Sequence, residues 1–333
     1  MKIKKVFVIG QGSIGKRHIK NLNFLKQNVF VYSYRRSQGK DFENLENVNY
    51  VDSIEEGINL SNAVVVCNRN DQHMDVAIKA AKCKKHIFVE KPLSNNLINV
   101  EKLRALIFEN NLVFNSGFMM RYHPNLIFIK QLIESRLLGD IYYSNAQVGQ
   151  YLPDWRPNVD YKNNYGAKFK WGGGVTLDLI HEIDLMHWFF GEVDIISCLF
   201  GYTPKLEIET ETISCINMRS KSNVICNVHL NYLRPVLKRS IEIVGEKGII
   251  NWDFADGKVI FSSKKVESKI LNELDKNFQR NDLFLLEMEH FLKSIDNNNF
   301  IVNEFDDAFI SLKTAILAIK SNEKKVFTSA LDL

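Results

Sequence analysis

Cysteine is scarce in this sequence, and its five copies form no CxxC pair and no metal-ligand spacing. Several of them lie within apolar, strand-like runs, as buried thiols often do. The cysteines are Cys67, Cys83, Cys198, Cys215 and Cys226. The pattern excludes a disulfide framework and indicates free thiols in a reducing compartment.

Long hydrophobic runs and blocks of one charge are also missing. No apolar stretch has the length of a signal peptide or a membrane span, so we expect a cytoplasmic protein without a membrane partner. The 43 basic and 39 acidic residues are spread along the chain and leave a net charge of +4. An even spread is typical of a solvated surface, and we therefore do not expect a nucleic-acid partner.

The 333 residues, 45% of them apolar, are enough for two domains, which we place at 1–120 and 121–333. In the first domain short β-rich runs alternate with helical patterns, which predicts a doubly wound parallel Rossmann sheet within an α/β fold class. The predicted strands are 6–9, 29–32, 63–67, 86–89 and 112–114, and the predicted helices are 14–25, 71–83 and 95–110.

The second domain has a different order of predicted helices and strands. After a helix at 124–138 and a strand at 141–151, a glycine triplet precedes a helix that runs to about residue 190. Strands then follow one another without helices between them, which predicts a C-terminal α+β domain with a mostly antiparallel open sheet. These strands are 193–202, 208–218, 224–233, 240–244 and 258–261. Residues 224–232 alternate with period two, which predicts that Val228, Leu230 and Tyr232 lie on one packed face. Helices at 282–295 and 306–321 close the chain, and the last one is able to pack back on the Rossmann domain.

A glycine-rich motif, GQGSIG, directly follows the first strand and opens the first helix. Its three glycines have separate uses, namely a tight turn, close approach of a pyrophosphate, and packing of the helix on the strand. The residues expected to bind a dinucleotide here are Gly10, Gly12, Ser13, Ile14 and Gly15.

The end of the second strand lacks the acidic residue that usually accepts the ribose hydroxyls of NAD. It has Ser33, Arg35 and Arg36 instead, a set that suits the 2′-phosphate of NADP. The cofactor is therefore NAD or NADP, and this turn favours NADP. The alternative for the arginines is a solvated basic turn.

Polar residues also follow the next two central strands, at the sheet edge where α/β proteins bind ligands. Asn68, Asn70 and His73 come after the run at 63–67 and are candidates to contact the cofactor. Glu90 and Lys91, which are also candidates to contact the cofactor, come after the run at 86–89 and precede a proline that restricts the lysine backbone.

The chain resembles the glucose-fructose oxidoreductase, inositol dehydrogenase and rhizopine-catabolism (Gfo/Idh/MocA) family over nearly its whole length. The matching segments are GQGSIGKRH, NRNDQH, VEKPLS, RYHP and WGGGVTLDLIHEID. One departure is Arg69, which stands where the family commonly has proline.

The resemblance implies that Lys91, His181 and Asp178 form the catalytic group of an NAD(P)-dependent oxidoreductase. In the family the aspartate usually precedes the histidine by four residues, whereas here the interval is three. If this rotates Asp178 away, Asp184 or Glu182 is the replacement. The alternative is that these polar groups only pair with one another. No HExxH spacing is present, so we expect no metal.

Substrate binding is expected from an aromatic and cationic stretch that precedes the glycine triplet, because such residues stack on sugars and grip phosphates or carboxylates. The candidates from this stretch are Tyr151, Trp155, Arg156 and Tyr165, and the charged residues Arg121 and Asp184 are added to them.

These observations predict hydride transfer between the nicotinamide and a carbinol carbon of a sugar, nucleotide sugar or polyol. The YLPDWRP and HEID segments resemble those of family members found among enzymes of bacterial surface-glycan synthesis, and this resemblance implies a nucleotide-linked or amino sugar. An NAD-dependent glycosidase and a cofactor-sensing regulatory protein are the alternatives. Apolar residues on both faces of the second sheet predict a homodimer or homotetramer through it.

Overall fold

A computed structural model describes residues 2, 4–32, 41–42, 44–155, 159–297 and 305–332. The chain divides into two compact units. The first contains Met1–Met119 and Gln279–Phe309, and the second contains Met120–Phe278 and Ile310–Leu333. Within the described ranges, no helix combines the length and the apolar character that crossing a membrane requires.

The first unit is built on a parallel sheet with the strand order β3-β2-β1-β4-β5-β6 in the described part of the chain. Its strands are β1 (Lys5–Ile9), β2 (Asn28–Tyr32), β3 (Val48–Tyr50), β4 (Ala63–Val66), β5 (His86–Val89) and β6 (Phe114–Ser116). Its helices are α1 (Ser13–Phe24), α2 (Ile54–Leu60), α3 (His73–Lys82) and α4 (Val100–Glu109), joined by the penultimate helix, Arg280–Asn297. This arrangement confirms the predicted Rossmann fold.

The central strands of this sheet are buried on both faces, as helix-covered parallel strands are. All four residues of β4 are fully buried. The carboxyl ends of β1, β4 and β5 share one edge, since the strands are parallel neighbours. The motifs that follow these strands therefore lie at the same edge.

Several boundaries in this unit differ from the sequence prediction. Neither β3 nor α2 was expected, and β6 begins two residues later than its predicted start. The helix predicted from 95 begins at Val100, because Asn99 adopts a left-handed conformation with φ 64° that no right-handed helix continues through.

The second unit contains a sheet with the order β14-β13-β12-β11-β7-β10-β9-β8-β15 among the described residues. Its strands are β7 (Ile141–Gly149), β8 (Val193–Gly201), β9 (Ile213–Ser220), β10 (Ile225–Asn231), β11 (Lys238–Gly245), β12 (Gly248–Asp253), β13 (Lys258–Ser262), β14 (Lys269–Glu273) and β15 (Thr328–Ser329). Its helices are α5 (Pro124–Glu134), α6 (Val175–Asp178) and α7 (His181–Phe190). The penultimate helix, Arg280–Asn297 of the first unit, is α8, and the final helix is α9 (Phe305–Lys324).

The pairing in this sheet is antiparallel except between β7 and β10, which confirms the mostly antiparallel prediction. The period-two alternation of β10 is also confirmed, since Cys226, Val228 and Leu230 are buried and the residues between them are not. The strands β12 and β14 were not expected, and the strand predicted from 208 begins at Ile213.

The helix predicted to run from the glycine triplet to about residue 190 is interrupted. α6 ends at Asp178, and α7 begins at His181 after a two-residue turn. Leu179 has φ −103° and ψ 32°, outside the helical range. Asp178 and His181 therefore do not share one helix face, and the prediction of a single continuous helix was wrong.

Candidate active site

The glycine-rich loop between β1 and α1 has the close backbone packing that its motif predicts. Gly10 has φ 103°, and a Cβ there would lie 2.6 Å from the carbonyl oxygen of Cys67. A Cβ on Gly15 would lie 1.9 Å from the carbonyl oxygen of Gly10. Both positions therefore require glycine for the fold itself.

Gly12 differs from the other two glycines. It is exposed, and a Cβ built on it meets no atom within 4 Å. It precedes α1, whose first turn contains Ser13 and Ile14, no acidic residue and no side-chain cap from the described residues. Unpaired amides at a helix N-terminus attract anions, so this open cradle fits the pyrophosphate of a dinucleotide.

The loop after β4 is anchored by His73. Its Nδ1 lies 2.9 Å from the carbonyl oxygen of Pro92, and its Nε2 lies 3.1 Å from that of Asn68. His73 and Asn70 are buried. Burial lowers the pKa of His73, although the two carbonyl contacts oppose this shift. Both ring nitrogens thus contact the protein backbone.

Glu90 and Lys91 follow β5. The Oε1 atom of Glu90 lies 2.6 Å from Nε2 of His18, and Oε2 accepts a hydrogen bond of 3.2 Å from the Lys91 backbone N–H. Glu90 is 5% exposed, whereas Lys91 is half-buried and precedes a cis peptide bond to Pro92. The lysine is therefore the more accessible of the two charged residues, at the ligand-binding edge of the sheet.

Four of the predicted site residues lie outside the described part of the chain. They are Ser33, Arg35, Arg36 and Arg156.

In the second unit Asp178 is held by two tyrosines. The hydroxyl of Tyr165 donates to Oδ1 at 2.7 Å, and that of Tyr232 donates to Oδ2 at 3.0 Å. Burial first, and then the charge of Asp178, raise the pKa of Tyr232 well above its usual value, so it remains a donor. Glu211 lies in the same region, is 3% exposed, and accepts a hydrogen bond of 2.9 Å from the Thr176 backbone N–H.

A small pocket beside Asp178 is lined by the aromatic stretch. Its lining residues include Trp155, Tyr161, Asn164, Tyr165 and Asp178. The structure thus brings two predicted substrate residues, Trp155 and Tyr165, to the predicted catalytic carboxylate. Tyr151 is half-buried and does not line this pocket.

The remaining charged candidates are paired inside the same unit. Arg121 donates to both oxygens of Asp184, at 2.9 and 2.7 Å, and both side chains are buried. Glu182 forms an ion pair of 2.6 Å with Arg239. His181, at 5% exposed, begins α7. A substrate role for Arg121 or Asp184 would require this ion pair to open.

Comparison with known proteins extends this picture. Residues 4–118 match the family model of an oxidoreductase NAD-binding Rossmann fold, and residues 127–251 match that of the GFO/IDH/MocA C-terminal domain. The chain belongs to the Gfo/Idh/MocA family. It is therefore an oxidoreductase with an NAD-binding Rossmann domain, as the resemblance implied.

Relatives in this family act on several substrates. Myo-inositol 2-dehydrogenase of Thermotoga maritima is 27% identical, over 96% of this chain and 97% of that protein. Levoglucosan dehydrogenase in complex with NADH superposes with a TM-score of 0.87 at 17% identity, covering 98% and 99% of the two chains. UDP-N-acetylglucosamine 3-dehydrogenase of Acidithiobacillus ferrooxidans gives 0.81 at 17% identity, covering 97% and 99%. The two superpositions show a shared fold.

Three residues near these Gfo/Idh/MocA motifs were not predicted from the sequence. His18 has no spacing in the sequence that distinguishes a site residue from a cap, packing or surface residue, and Tyr232 was predicted only to lie on the packed face of residues 224–232. Glu211 had no sequence signal, since it lies in a polar segment before β9. The alternation did place Tyr232 inside, but which partner its hydroxyl meets depends on the tertiary fold.

Proposed function

We propose that this protein transfers a hydride between NAD(P) and a carbinol carbon of a sugar, nucleotide sugar or polyol. The strongest support for this proposal comes from the edge of the first sheet that the carboxyl ends of β1, β4 and β5 share. There the open phosphate cradle at Gly12 and the half-buried Lys91 follow strands of one parallel sheet. Membership of a family of oxidoreductases supports the same reaction class.

The roles of the chain's own residues follow from their chemistry. When bound, the oxidised nicotinamide supplies the hydride acceptor. His181 takes the proton of the substrate hydroxyl, and the Lys91 ammonium donates to the oxygen and stabilises its developing negative charge. Asp178, held by Tyr165 and Tyr232, is the carboxylate that orients the substrate hydroxyls or the histidine.

The substrate class is inferred from the pocket beside Asp178. Trp155 and Tyr165 offer aromatic surface with polar edges, and the carboxylate accepts hydrogen bonds, a combination that suits a polyhydroxylated ring. The names of the relatives above, an inositol, an anhydrosugar and a nucleotide sugar dehydrogenase, are consistent with such a ring. We also propose that the substrate is a sugar used in surface-glycan synthesis.

NADP is the proposed preference between the two nicotinamides, because Ser33, Arg35 and Arg36 suit a 2′-phosphate. Fluorescence titration with NADH and with NADPH tests it. Tighter binding of NADPH, lost when Arg35 and Arg36 are changed to alanine, is the expected result. Equal binding of both contradicts the preference.

The function is tested by oxidation of a sugar panel with NAD⁺ and NADP⁺, followed by the absorbance of the reduced nicotinamide. The panel contains myo-inositol, levoglucosan, glucose 6-phosphate and UDP-N-acetylglucosamine. Net reduction is expected with at least one of them, and Lys91→Ala and His181→Ala should abolish it while NADH binding persists. Sugar hydrolysis without net reduction would indicate the glycosidase instead. Unchanged turnover in Lys91→Ala would refute the assignment.

We also propose a homodimer or homotetramer formed through the open sheet of the second unit. One surface of this sheet carries Ile260, Asn217 and Asn227 together with charged side chains such as Glu242 and Lys258. Light scattering tests the proposal. Asn217→Glu should lower the oligomeric mass, whereas Lys264→Glu, in an exposed loop, should not. A monomeric wild type would contradict it.

A further inference from the structure

Two buried histidines contact the residues on either side of Lys91. His18 lies in α1 and is 0% exposed, and His73 lies at the start of α3 and is 1% exposed. The proposed reaction assigns no chemical step to either of them, and His73 has been named only as a candidate to contact the cofactor. Their contacts nevertheless converge on one short segment, Glu90 to Pro92.

His18 acts on this segment through a carboxylate. Its Nε2 lies 2.6 Å from Oε1 of Glu90, while Oε2 of the same group accepts from the Lys91 backbone N–H at 3.2 Å. Both oxygens of Glu90 are thus engaged, one by the helix that begins at the phosphate loop and one by the lysine backbone.

The surroundings leave this contact little freedom. The His18 ring packs edge-on against Phe88, with centroids 5.1 Å apart, and against Phe284, at 6.2 Å. A Cβ on Gly117 would lie 2.7 Å from Oε2 of Glu90, so the backbone itself closes the other side. If His18 is replaced, no neighbouring side chain among the described residues has open space in which to move and take over its contact with Glu90.

His73 holds the other side of the lysine. Its Nδ1 lies 2.9 Å from the carbonyl oxygen of Pro92, and its Nε2 lies 3.1 Å from that of Asn68. The ring thereby joins the loop after β4 to the residue directly after Lys91. The backbone of Lys91 is consequently fixed before and after its Cα by two different buried imidazoles.

We infer that His18 and His73 are positioning residues that direct the Lys91 side chain by fixing its backbone from both sides. This inference rests on the proposed function, in which the lysine ammonium stabilises the reacting oxygen. A displacement of about 1 Å at such a group lowers turnover about 100-fold. The effect should appear in kcat, since neither histidine contacts the open cradle at Gly12.

The experiment compares His18→Leu and His73→Leu with His18→Gln and His73→Gln. Each leucine variant should lower kcat by about 100-fold. In His18→Leu, which is not a predicted cofactor contact, the Kd for NADH from fluorescence titration should stay within about twofold of wild type. The glutamine variants should recover at least about tenfold of this loss, because their amide N–H groups still donate. His290→Gln, a half-buried position in α8, is the matched control and should leave kcat and Kd unchanged.

A second measurement does not depend on the substrate. Reductive methylation with ¹³C-formaldehyde gives each lysine an NMR signal, and the signal missing in Lys91→Arg is that of Lys91. This signal should shift in the two leucine variants and stay in place in His290→Gln. If His18→Leu does not fold, Gly117→Ala replaces it, because its methyl group would press on Oε2 of Glu90.

The outcomes separate this inference from the proposed function. Turnover that persists in Lys91→Ala overturns the proposed function. An inactive Lys91→Ala, together with leucine variants that keep the wild-type kcat and the wild-type Lys91 signal, overturns the positioning role alone. Loss of stability and of NADH affinity in parallel with kcat, without rescue by glutamine, also overturns it, since that pattern belongs to a merely structural contact.

Discussion

The guanidinium of Arg121 donates two hydrogen bonds to the carboxylate of Asp184, from Nε to Oδ2 at 2.9 Å and from Nη2 to Oδ1 at 2.7 Å. Neither side chain is more than 1% exposed. The Ser311 hydroxyl adds a third donor to Oδ1, at 2.8 Å. The pair therefore joins α7, on which His181 is the first residue, to two other segments of the second unit.

Removing one member of this pair should destabilise the second unit strongly. Asp184→Asn leaves the Arg121 guanidinium buried without its counter-charge, and such single removals cost about 3–5 kcal/mol. Urea unfolding should show the loss. The double variant Arg121→Met with Asp184→Leu should be more stable than Asp184→Asn, because no charge remains buried. An Asp184→Asn variant of wild-type stability would show that the pair contributes nothing.

The architecture could largely be predicted from the sequence because hydrophobic periodicity reports burial directly. β5 was placed at its observed residues, and the alternation of β10 identified its buried face correctly. The missed elements are those whose burial is set by tertiary contacts. The strand β3 has one buried residue in three, Val48, which leaves almost no periodic signal.

The three glycines of the phosphate loop should respond differently to alanine. Gly12→Ala adds a methyl group that meets no protein atom within 4 Å, so the thermal midpoint should stay near that of wild type. The same methyl group would fill the cradle, and NADH should bind at least about tenfold more weakly. Gly15→Ala would place its Cβ 1.9 Å from a backbone oxygen and should lower the midpoint itself.

Calorimetry and fluorescence titration check both variants. Ser262→Ala, on the second unit's sheet, serves as a control that should change neither quantity. Unaltered NADH affinity in Gly12→Ala would contradict the assignment of the cradle. Equal losses of stability in Gly12→Ala and Gly15→Ala would contradict the division between binding and packing.

The candidate site could be predicted less completely than the fold. The sequence predicted one continuous helix that carries both Asp178 and His181, but the chain turns between them, and the carboxylate accepts hydrogen bonds from two tyrosines. Tyr232 is 54 residues away in sequence from Asp178. Sequence spacing describes neighbours within one element, and contacts of this kind depend on how separate elements pack.

The two tyrosines that donate to Asp178 should differ in what they contribute. Tyr232 is fully buried, so Tyr232→Phe removes a donor from a buried carboxylate and should cost about 1–3 kcal/mol of stability. Tyr165 is half-buried and lines the pocket, so Tyr165→Phe should lower kcat/KM about tenfold with a smaller effect on stability.

Urea unfolding and steady-state kinetics on the substrate found in the sugar panel measure these two effects. Tyr142→Phe, an exposed tyrosine on β7, is the control for both. A Tyr165→Phe variant with unchanged kcat/KM would remove this residue from the proposed substrate site. Unchanged stability of Tyr232→Phe would show that Asp178 finds another donor.

His123 should make the second unit sensitive to acid. It is 1% exposed and caps α5, where its Nδ1 accepts from the Asn125 backbone N–H at 3.2 Å. Its ring packs edge-on against Trp252 at 5.3 Å. Burial, and then the charge of Arg239, lower the pKa of His123 to about 4, so the folded protein holds this imidazole neutral.

The sign of the pH dependence follows from the difference between the two states. In the unfolded chain the histidine pKa is about 6.5, so between about pH 6.5 and about pH 4 the unfolded state binds a proton that the folded state does not. Stability from this group is therefore present above about pH 6.5 and is lost as the pH falls toward 4. His73 and His86, whose pKa values burial also lowers, act in the same direction in the first unit.

From about pH 7 to about pH 5, His123 alone should account for a loss of about 2 kcal/mol in the free energy of unfolding. Urea unfolding of wild type and of His123→Asn at both pH values measures it. The asparagine side-chain oxygen still accepts from the helix amide but does not titrate, so the variant should lose less stability on acidification. If both proteins lose the same amount, His123 is protonated in the folded state and the burial argument for its pKa is wrong.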